Sequence, residues 1–278
     1  MKRIQLFEFE DFAWFPSWLR SCMTNLIVVL MRMLGVNKII AHQVGEALRK
    51  TGQRTIVDLG SGSGGAMPVV LEQLRAAAVQ SDSKVDYALT MTDLYPNPSI
   101  TQHFVQLEVE GLSYSEKPVD ATDIATAPLG LKTMINCFHH MRVEQAKKIL
   151  SSAVACKQPL FIYELSNNKI PNIFWWLSTP ISLPIIALTA LFWTPMVRPM
   201  SWQQIVFTYL IPLIPIFYAW DGHASGIRTY SLDDIQEMLS EIEDDHYVWE
   251  VGSADDAAGK VLGIYLLGYP KPSEVFSV

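Results

Sequence analysis

The sequence has little cysteine and little charge. Its three cysteines, Cys22, Cys137 and Cys156, are far apart in the chain and form no Cys-x-x-Cys pair. We therefore expect reduced thiols and no metal site. Charged residues make up 18% of the chain, with 21 Lys and Arg against 28 Asp and Glu. This acidic balance argues against nucleic acid as a partner, because nucleic acids favour basic surfaces.

Charge is almost absent from one long segment. Between Lys169 and Asp221 the single charged residue is Arg198. Residues 171–197 are numerous enough to cross a bilayer as a helix, which needs about 20 apolar residues. We expect prolines to break this helix, since each removes a backbone donor. These prolines are Pro180, Pro184, Pro195, Pro199, Pro212 and Pro215.

The first 50 residues are predicted to be helical and amphipathic. Pro16 is expected to separate a short leader from a helix that begins near Ser17. Acidic residues soon follow the basic Lys2 and Arg3, which argues against a signal peptide. Two interpretations stay open: the helix lies in a membrane interface, or it packs on the core. The aromatic residues that raise the question are Phe7, Phe9, Phe12, Trp14, Phe15 and Trp18.

Strands and helices alternate from Arg54 onward, which predicts an α/β fold with a doubly wound, mostly parallel sheet. The predicted strands are 55–59, 85–91, 112–119, 132–138 and 159–163, and the helices between them are 67–79, 99–110 and 143–155. After the apolar segment, Ser231 and Asp234 are expected to form a capping box for a helix that ends near Ile242. Two closing strands are predicted at 247–251 and 261–267.

The residues at the carboxyl ends of the predicted parallel strands are polar. Ligands of such sheets bind beyond these ends, so we expect the polar residues to converge on one site. They are Asp58, Asp93, Asp120, His139, His140 and Glu164.

The segment from Asp58 to Gly64 has the pattern D-x-G-x-G-x-G. It resembles the first motif of class I S-adenosylmethionine-dependent methyltransferases. Glycine permits close backbone approach to a ligand and positive φ. The dinucleotide spacing G-x-G-x-x-G also occurs here, at Gly60, Gly62 and Gly65. The acidic residue two positions before the first glycine favours the methyltransferase interpretation.

The resemblance implies a seven-stranded sheet with an antiparallel last strand. The residue pattern adds the N-terminal helical segment and places the apolar helical insertion after strand five. The resemblance also implies S-adenosyl-L-methionine as cofactor, with Asp93 on the ribose hydroxyls and Asp120 on the adenine amino group. Asp123 competes with Asp120 for that role. The full set of expected cofactor-binding residues is Asp58, Gly60, Ser61, Gly62, Gly64, Asp93, Leu94, Asp120, Ala121 and Asn136.

The expected catalytic residues are His139, His140 and Glu164. The segment from Phe138 to Met141 is similar to the end of strand four in small-molecule methyltransferases, where a histidine borders the cofactor and the acceptor. Histidine suits a general base near neutral pH. In the alternative interpretation, one histidine packs on the cofactor, the other caps the next helix, and Glu164 is a cap or an ion-pair residue.

Four polar residues after the apolar segment are expected to bind the acceptor: Asp221, His223, Arg228 and Tyr230. They line a pocket if the apolar segment is a lid. In the alternative they belong to a solvated turn, with Arg228 bound to a carboxylate.

The predicted organisation has four parts. Residues 1–50 form the N-terminal helical segment, 51–168 the cofactor-binding core, 169–227 the apolar insertion, and 228–278 the rest of the core. The predicted function is methyl transfer to a lipophilic acceptor such as a lipid, isoprenoid, quinone or fatty acid derivative. We expect the protein in the cytoplasm, on the cytoplasmic face of a membrane. The alternatives are a soluble acceptor with the insertion as a homodimer face, and a membrane-bound interaction module without turnover.

Overall fold

Seven strands form one sheet in the residues that a computed structural model of the protein describes, which are 3–81, 85–168, 170–242, 244–256 and 258–271. In chain order they are β1 (Thr55–Leu59), β2 (Ala88–Thr92), β3 (Leu112–Tyr114), β4 (Leu131–Ile135), β5 (Leu160–Glu164), β6 (Tyr247–Asp255) and β7 (Val261–Pro270). The spatial order is β3-β2-β1-β4-β5-β7-β6. β1 to β5 are parallel, and β7 is antiparallel to both of its neighbours. The predicted seven-stranded sheet with an antiparallel last strand is confirmed.

Nine α-helices surround the sheet in the described residues. They are α1 (Ser17–Met33), α2 (Val36–Thr51), α3 (Met67–Gln80), α4 (Pro98–Gln106), α5 (Val143–Ala155), α6 (Asn172–Trp193), α7 (Trp202–Ile205), α8 (Leu213–Arg228) and α9 (Leu232–Ser240). Short 3₁₀ turns lie at Phe9–Asp11 and Phe138–His140, and one π turn, Val206–Leu210, follows α7. The predicted capping box at Ser231 and Asp234 begins α9.

The apolar strands are buried because helices cover both faces of the sheet, as a parallel sheet requires. On one face α2 packs on β4, β5 and β7, and α3 packs on α2 and β2, with Ile40, Val44 and Leu71 in the contact. On the other face α5 and α9 pack on β4, β5 and β7, with Ile149 and Met238 at the centre.

A third apolar cluster joins the N-terminal segment to the insertion. Phe15, Leu19 and Leu26 pack there with Ala190 and Tyr218 of the insertion helices. One face of α1 therefore contacts the insertion, and α2, which follows Gly35, contacts the sheet.

Three predicted elements were too long. The second strand begins at Ala88, where pairing with Thr55 of β1 starts. The fourth ends at Ile135, because Asn136 has a φ of 55°. The third ends at Tyr114, where a turn begins in which Ser115 Oγ accepts the Lys117 N–H.

Two other predicted bounds also moved. The helix predicted at 99–110 is α4, Pro98–Gln106, and it ends before Glu108, which has a φ of 49°. The two closing strands, β6 and β7, are longer than predicted, since their antiparallel pairing runs from Tyr247 with Pro270 to Asp255 with Val261.

Half of the six prolines of the apolar segment do not act as predicted, and one of these, Pro215, lies in the first turn of α8. Pro180 and Pro184 lie inside α6, which continues through both for 22 residues. Each proline removes one backbone hydrogen bond, and packing of α6 along α8 and α1 offsets this loss. Pro195 and Pro199 do lie between helices, and Pro212 precedes α8.

One helical stretch of the described residues, Asn172–Met196, is long and apolar enough to cross a membrane, with a mean hydropathy of 1.5. Two bent helix pairs bring the number to three if each pair is a single span. Of the residues in the apolar window of Asn172–Met196, 11% are buried inside the protein. Most of this surface therefore faces outward.

Candidate active site

The glycine-rich loop leaves β1 at Leu59 and turns through several left-handed glycines. Gly62 has a φ of 53°, and a Cβ added there would meet no atom within 4 Å. Gly64 has a φ of 100°, and a Cβ there would lie 2.6 Å from the Phe104 ring. Gly62 thus keeps one face of the loop open, whereas Gly64 allows the loop to pack on α4.

Asp58 lies buried beneath this loop. Its Oδ2 accepts a hydrogen bond from Ser61 Oγ at 2.6 Å, and its Oδ1 accepts one from Thr133 Oγ1 at 2.7 Å. Burial raises the pKa of Asp58 to about 7, and the charge of Asp93 adds to the shift, although the two hydroxyls oppose it. Both oxygens are engaged within the protein, so Asp58 holds the loop in place.

Asp93 follows β2 and braces the loop from the other side. Its Oδ2 accepts the Gly62 N–H at 2.9 Å, and its Oδ1 accepts the Tyr95 N–H at 2.8 Å. The Tyr114 hydroxyl donates to the Gly62 carbonyl at 2.8 Å. Leu94, next to Asp93, is exposed. Asp93 therefore lies beside Gly62, at the open face of the glycine loop.

The remaining expected cofactor residues lie on neighbouring loops. The Val119 N–H donates to the Asp93 carbonyl at 2.9 Å, which brings exposed Asp120 and adjacent Ala121 next to the Asp93 loop. Asn136 follows β4, and its Oδ1 accepts the Leu165 N–H at 3.2 Å. The loops after β1, β2, β3 and β4 thus meet at one edge of the sheet.

His139 and Glu164 form a buried pair beside these loops. Glu164 Oε2 lies 2.7 Å from His139 Nδ1, and Oε1 accepts the His139 backbone N–H at 3.1 Å. Each side chain is about 2% exposed. These bonds fix the ring and direct Nε2 away from Glu164.

The N-terminal leader covers both histidines with carboxylates. Glu8 is fully buried, and its Oε1 lies 3.9 Å from His139 Nε2. His140 Nδ1 lies 2.8 Å from Asp11 Oδ1, and its Nε2 lies 3.3 Å from Glu10 Oε1. Burial lowers the pKa of His140, but the charge of Glu8 and the bonds to Asp11 and Glu10 outweigh it. The pKa therefore lies well above its ordinary value.

Arg228 and Tyr230 close this cluster. The Arg228 guanidinium is buried and lies 2.5 Å from Asp11 and 3.3 Å from Glu8. The Tyr230 hydroxyl donates to the Met141 carbonyl at 2.8 Å, and Arg3 stacks over the Tyr230 ring at 4.1 Å. Arg228 thus has the carboxylate contact that the alternative interpretation expected, in a buried setting.

Asp221 and His223 lie further up α8. Asp221 accepts the backbone N–H groups of Phe9 at 2.8 Å and Glu10 at 3.2 Å, so it anchors the leader. His223 stacks on Trp175 at 4.0 Å and contacts the hydroxyls of Thr179 and Ser182. It is thereby part of the α6–α8 contact, apart from His139.

Sequence reasoning missed the carboxylates of the leader. Glu8 and Asp11 are more than 120 residues from the histidines that they contact. The one signal was an acidic cluster, Glu8, Glu10 and Asp11, inside an otherwise aromatic segment. Charges placed among so many apolar side chains indicate a buried polar partner.

No family model matches the sequence, and neither does any curated protein. Several solved structures do match. The plantazolicin methyltransferase BpumL, in complex with SAH, superposes with a TM-score of 0.51 at 10% identity, over 92% of this chain and 98% of that one. The plantazolicin methyltransferase BamL superposes with a TM-score of 0.49 at 12% identity, over 91% of this chain and 98% of that one. The methyltransferase domain of bacterial CtHen1-CN superposes with a TM-score of 0.47 at 10% identity, over 84% of this chain and 98% of that one.

At such low identity, the likeness to BpumL bears on the fold. The seven-stranded, mostly parallel sheet with helices on both faces is consistent with it. The chain has the class I S-adenosylmethionine-dependent methyltransferase fold, with a helical insertion after β5.

Proposed function

We propose that this protein is an enzyme that transfers a methyl group from S-adenosyl-L-methionine to a lipophilic small molecule at a membrane surface. The observation that carries the proposal is the glycine loop after β1. Its open face lies at Gly62, and Asp93 is hydrogen-bonded to its backbone. The loop lies where ligands of doubly wound sheets bind.

The residues of this edge fit the cofactor. The backbone of Gly60, Ser61 and Gly62 would lie against its amino acid part, because no side chain fills the space in front of Gly62. Asp93 and Asp120 would hold the ribose and the adenine, with Leu94, Ala121 and Asn136 beside them. Gly64 and Asp58 would act indirectly, since Gly64 shapes the loop and Asp58 holds it in place. When bound, the cofactor supplies an electrophilic methyl group.

His139, Glu164 and His140 are the residues that we assign to the acceptor side. Glu164 holds Nδ1 of His139, so Nε2 is the atom that can take a proton from an acceptor hydroxyl. Nε2 faces Glu8 in this structure, and His139 is buried. An acceptor therefore reaches Nε2 when the leader, residues 3–15, moves aside.

The contacts of Asp221, Arg228 and Tyr230 bear on this movement. Asp221 and Arg228 bind the leader, and Tyr230 stacks against Arg3 at its start. We propose that Asp221, Arg228 and Tyr230, which hold the leader in this structure, lie beside the acceptor once the leader has moved aside. His223 would act by holding α6 to α8.

The apolar surface of the insertion supports a lipophilic acceptor and a membrane site. An apolar cavity of about 460 Å³ lies between the leader and the insertion, with Phe7, Phe9, Leu183, Ile216 and Trp220 in its wall. The exposed side of α6 is also apolar, and so much exposed apolar surface marks a contact with lipid or protein. The side chains of α6 that face outward include Ile173, Phe174, Trp176, Leu177, Ile181, Ile185, Leu188 and Phe192.

We further propose that the protein lies on the cytoplasmic face of the membrane. Cys22, Cys137 and Cys156 are all free, which suits a reducing compartment. α6 would lie along the membrane surface, because one side of it packs on α8 and α1.

Calorimetry with S-adenosylhomocysteine tests the cofactor site. Gly62→Arg puts a long side chain into the open space of the loop, so we expect binding to become undetectable. Gly259→Arg is the matched control. Gly259 also has a positive φ, 78°, with no atom near its added Cβ, but it lies in the exposed β6–β7 turn. Equal binding by both variants and the wild type would refute the site.

A further inference from the structure

We infer that Glu8, His139 and His140 form a binding site for a divalent transition-metal ion of the zinc type. One ligand atom from each of the three residues lies within 4.8 Å of the other two. His139 Nε2 is 3.9 Å from Glu8 Oε1, and His140 Nδ1 is 3.7 Å from Glu8 Oε2. Zinc–ligand bonds of about 2.0–2.2 Å in a tetrahedron place ligand atoms roughly 3.4 Å apart. Side-chain shifts of less than about 1.5 Å would therefore close the site.

The Glu8 carboxylate supplies an observation independent of this spacing. Glu8 is fully buried, and its Oε2 has no hydrogen-bond partner among the residues that the structure describes. A buried carboxylate oxygen without a partner is costly, on the order of 1–3 kcal/mol or more. A metal ion bound to Oε2 would remove this cost.

The surroundings of His139 match those of a metal ligand. Histidines that bind metals almost always give their other ring nitrogen to a carboxylate or carbonyl, which fixes the tautomer. Glu164 holds Nδ1 of His139 at 2.7 Å, and Nε2 is left facing Glu8. The imidazole and carboxylate set favours zinc or a similar ion over magnesium, which prefers oxygen ligands alone.

The charges of the cluster also leave room for a divalent cation. Four carboxylates surround the two histidines, those of Glu8, Glu10, Asp11 and Glu164. Two guanidiniums lie among them, since Arg228 contacts Glu8 and Asp11, and Arg3 donates to the His139 carbonyl. Two negative charges are in excess once His140 gives up its proton to bind the ion, and a divalent ion then balances them. Asp11, now 2.8 Å from His140 Nδ1, would become the fourth ligand.

This inference does not depend on methyl transfer. If both proposals hold, His139 Nε2 binds the metal, and the ion would replace His139 as the group that activates an acceptor hydroxyl. The cofactor side is unchanged in either case. The proposed ligands are histidines and carboxylates. The lack of a Cys-x-x-Cys pair, from which no metal site was expected, therefore does not bear on this site.

The test uses the full untagged chain in detergent, stripped with a chelator and titrated with Co²⁺. We expect one Co²⁺ per chain, with visible absorption bands of a tetrahedral site, and displacement by one Zn²⁺. Glu8→Gln and His140→Ala should each weaken binding at least a hundredfold. His103→Ala, which removes an exposed histidine of α4, should bind like the wild type.

Circular dichroism checks the fold of each variant. If Glu8→Gln fails to fold, His140→Ala alone gives the answer. An absence of the cobalt bands in the folded wild type would overturn the inference, and so would binding that both site variants retain. The cluster would then be a network of ion pairs around a protonated His140. S-adenosylhomocysteine binding to the stripped protein tests the proposed function separately.

Discussion

Two buried carboxyl groups, those of Asp58 and Asp221, have raised pKa values. Burial is the main cause for both, and it raises the pKa of Asp58 to about 7 and that of Asp221 to about 8. A raised pKa in the folded state means that the folded protein binds the proton more tightly than the unfolded chain does. The resulting stabilisation is complete below pH 4 and is lost as the pH rises through 7 or 8.

Asp58→Asn should reduce this pH dependence. A pKa change from 3.8 to about 7 corresponds to on the order of 4 kcal/mol of stability lost between pH 4 and pH 7. Asparagine carries no charge, so the thermal unfolding midpoint of the variant should fall less across this range, by several degrees. Circular dichroism melts at several pH values measure the difference.

The control for this experiment is Asp86→Asn, which changes a carboxylate that is 72% exposed. The unfolding midpoint of Asp86→Asn should change with pH as much as that of the wild type. If Asp58→Asn and Asp86→Asn show the same pH dependence as the wild type, Asp58 does not hold a proton in the folded state near neutral pH.

The sequence was a good guide to site residues that follow strands. Asp93 and Glu164 were expected there because parallel strands end at one edge. Their partners, the Gly62 N–H and the His139 ring, confirm the contact between these loops. The contact of Glu8 with His139 could not be predicted in this way, because it depends on how the leader folds back over the sheet.

Among the elements, α6 departs most from its sequence prediction. Proline was expected to interrupt it at Pro180 and Pro184, yet the helix continues through both. Local propensity was outweighed by packing, because α6 lies along α8 and His223 contacts its Thr179 and Ser182 hydroxyls. The strands and core helices were easier to predict, since burial and turn residues determine them together.

The outer face of α6 should bind membranes. Ile181 and Leu188 are seven residues apart, so both lie on one exposed side of the helix. Replacing both with Glu removes roughly 3 kcal/mol or more of apolar burial in lipid. We expect at least a tenfold loss of binding to phospholipid vesicles in a flotation assay.

A matched control places two glutamates elsewhere on the surface. Val79 in α3 and Leu129 before β4 are at least as exposed, and Val79→Glu with Leu129→Glu should leave flotation unchanged. If the wild type does not float with vesicles and sediments as a dimer that Ile181→Glu with Leu188→Glu dissociates, the outer face of α6 is a homodimer contact.

At the scale of the whole molecule, the leader connects the insertion to the candidate catalytic residues. Phe15 packs with the insertion helices, Asp221 of α8 binds the backbone of the leader, and Glu8 covers His139. A change at the insertion can therefore reach the histidines through a short set of contacts. This arrangement fits an acceptor that enters from the apolar side and displaces the leader as it binds.

The assay that examines the whole proposal combines the purified protein, radiolabelled S-adenosylmethionine and a total lipid extract of its source cells. We expect label in an organic-soluble product, because both the cavity beside the leader and the outer face of α6 are apolar. Gly62→Arg should give no labelled product, and Gly259→Arg should match the wild type. Chromatography of the product would begin to identify the acceptor.

A negative result in this assay would separate the acceptor proposal from the cofactor site. If S-adenosylhomocysteine binds normally but no label enters the organic phase, the lipophilic acceptor is wrong and water-soluble acceptors become the candidates. The apolar face of α6 would then serve to hold the protein at a membrane or to another copy, and the vesicle experiment separates those two roles. The cofactor site would stand in that case, because its residues lie on the core loops and make no use of the insertion.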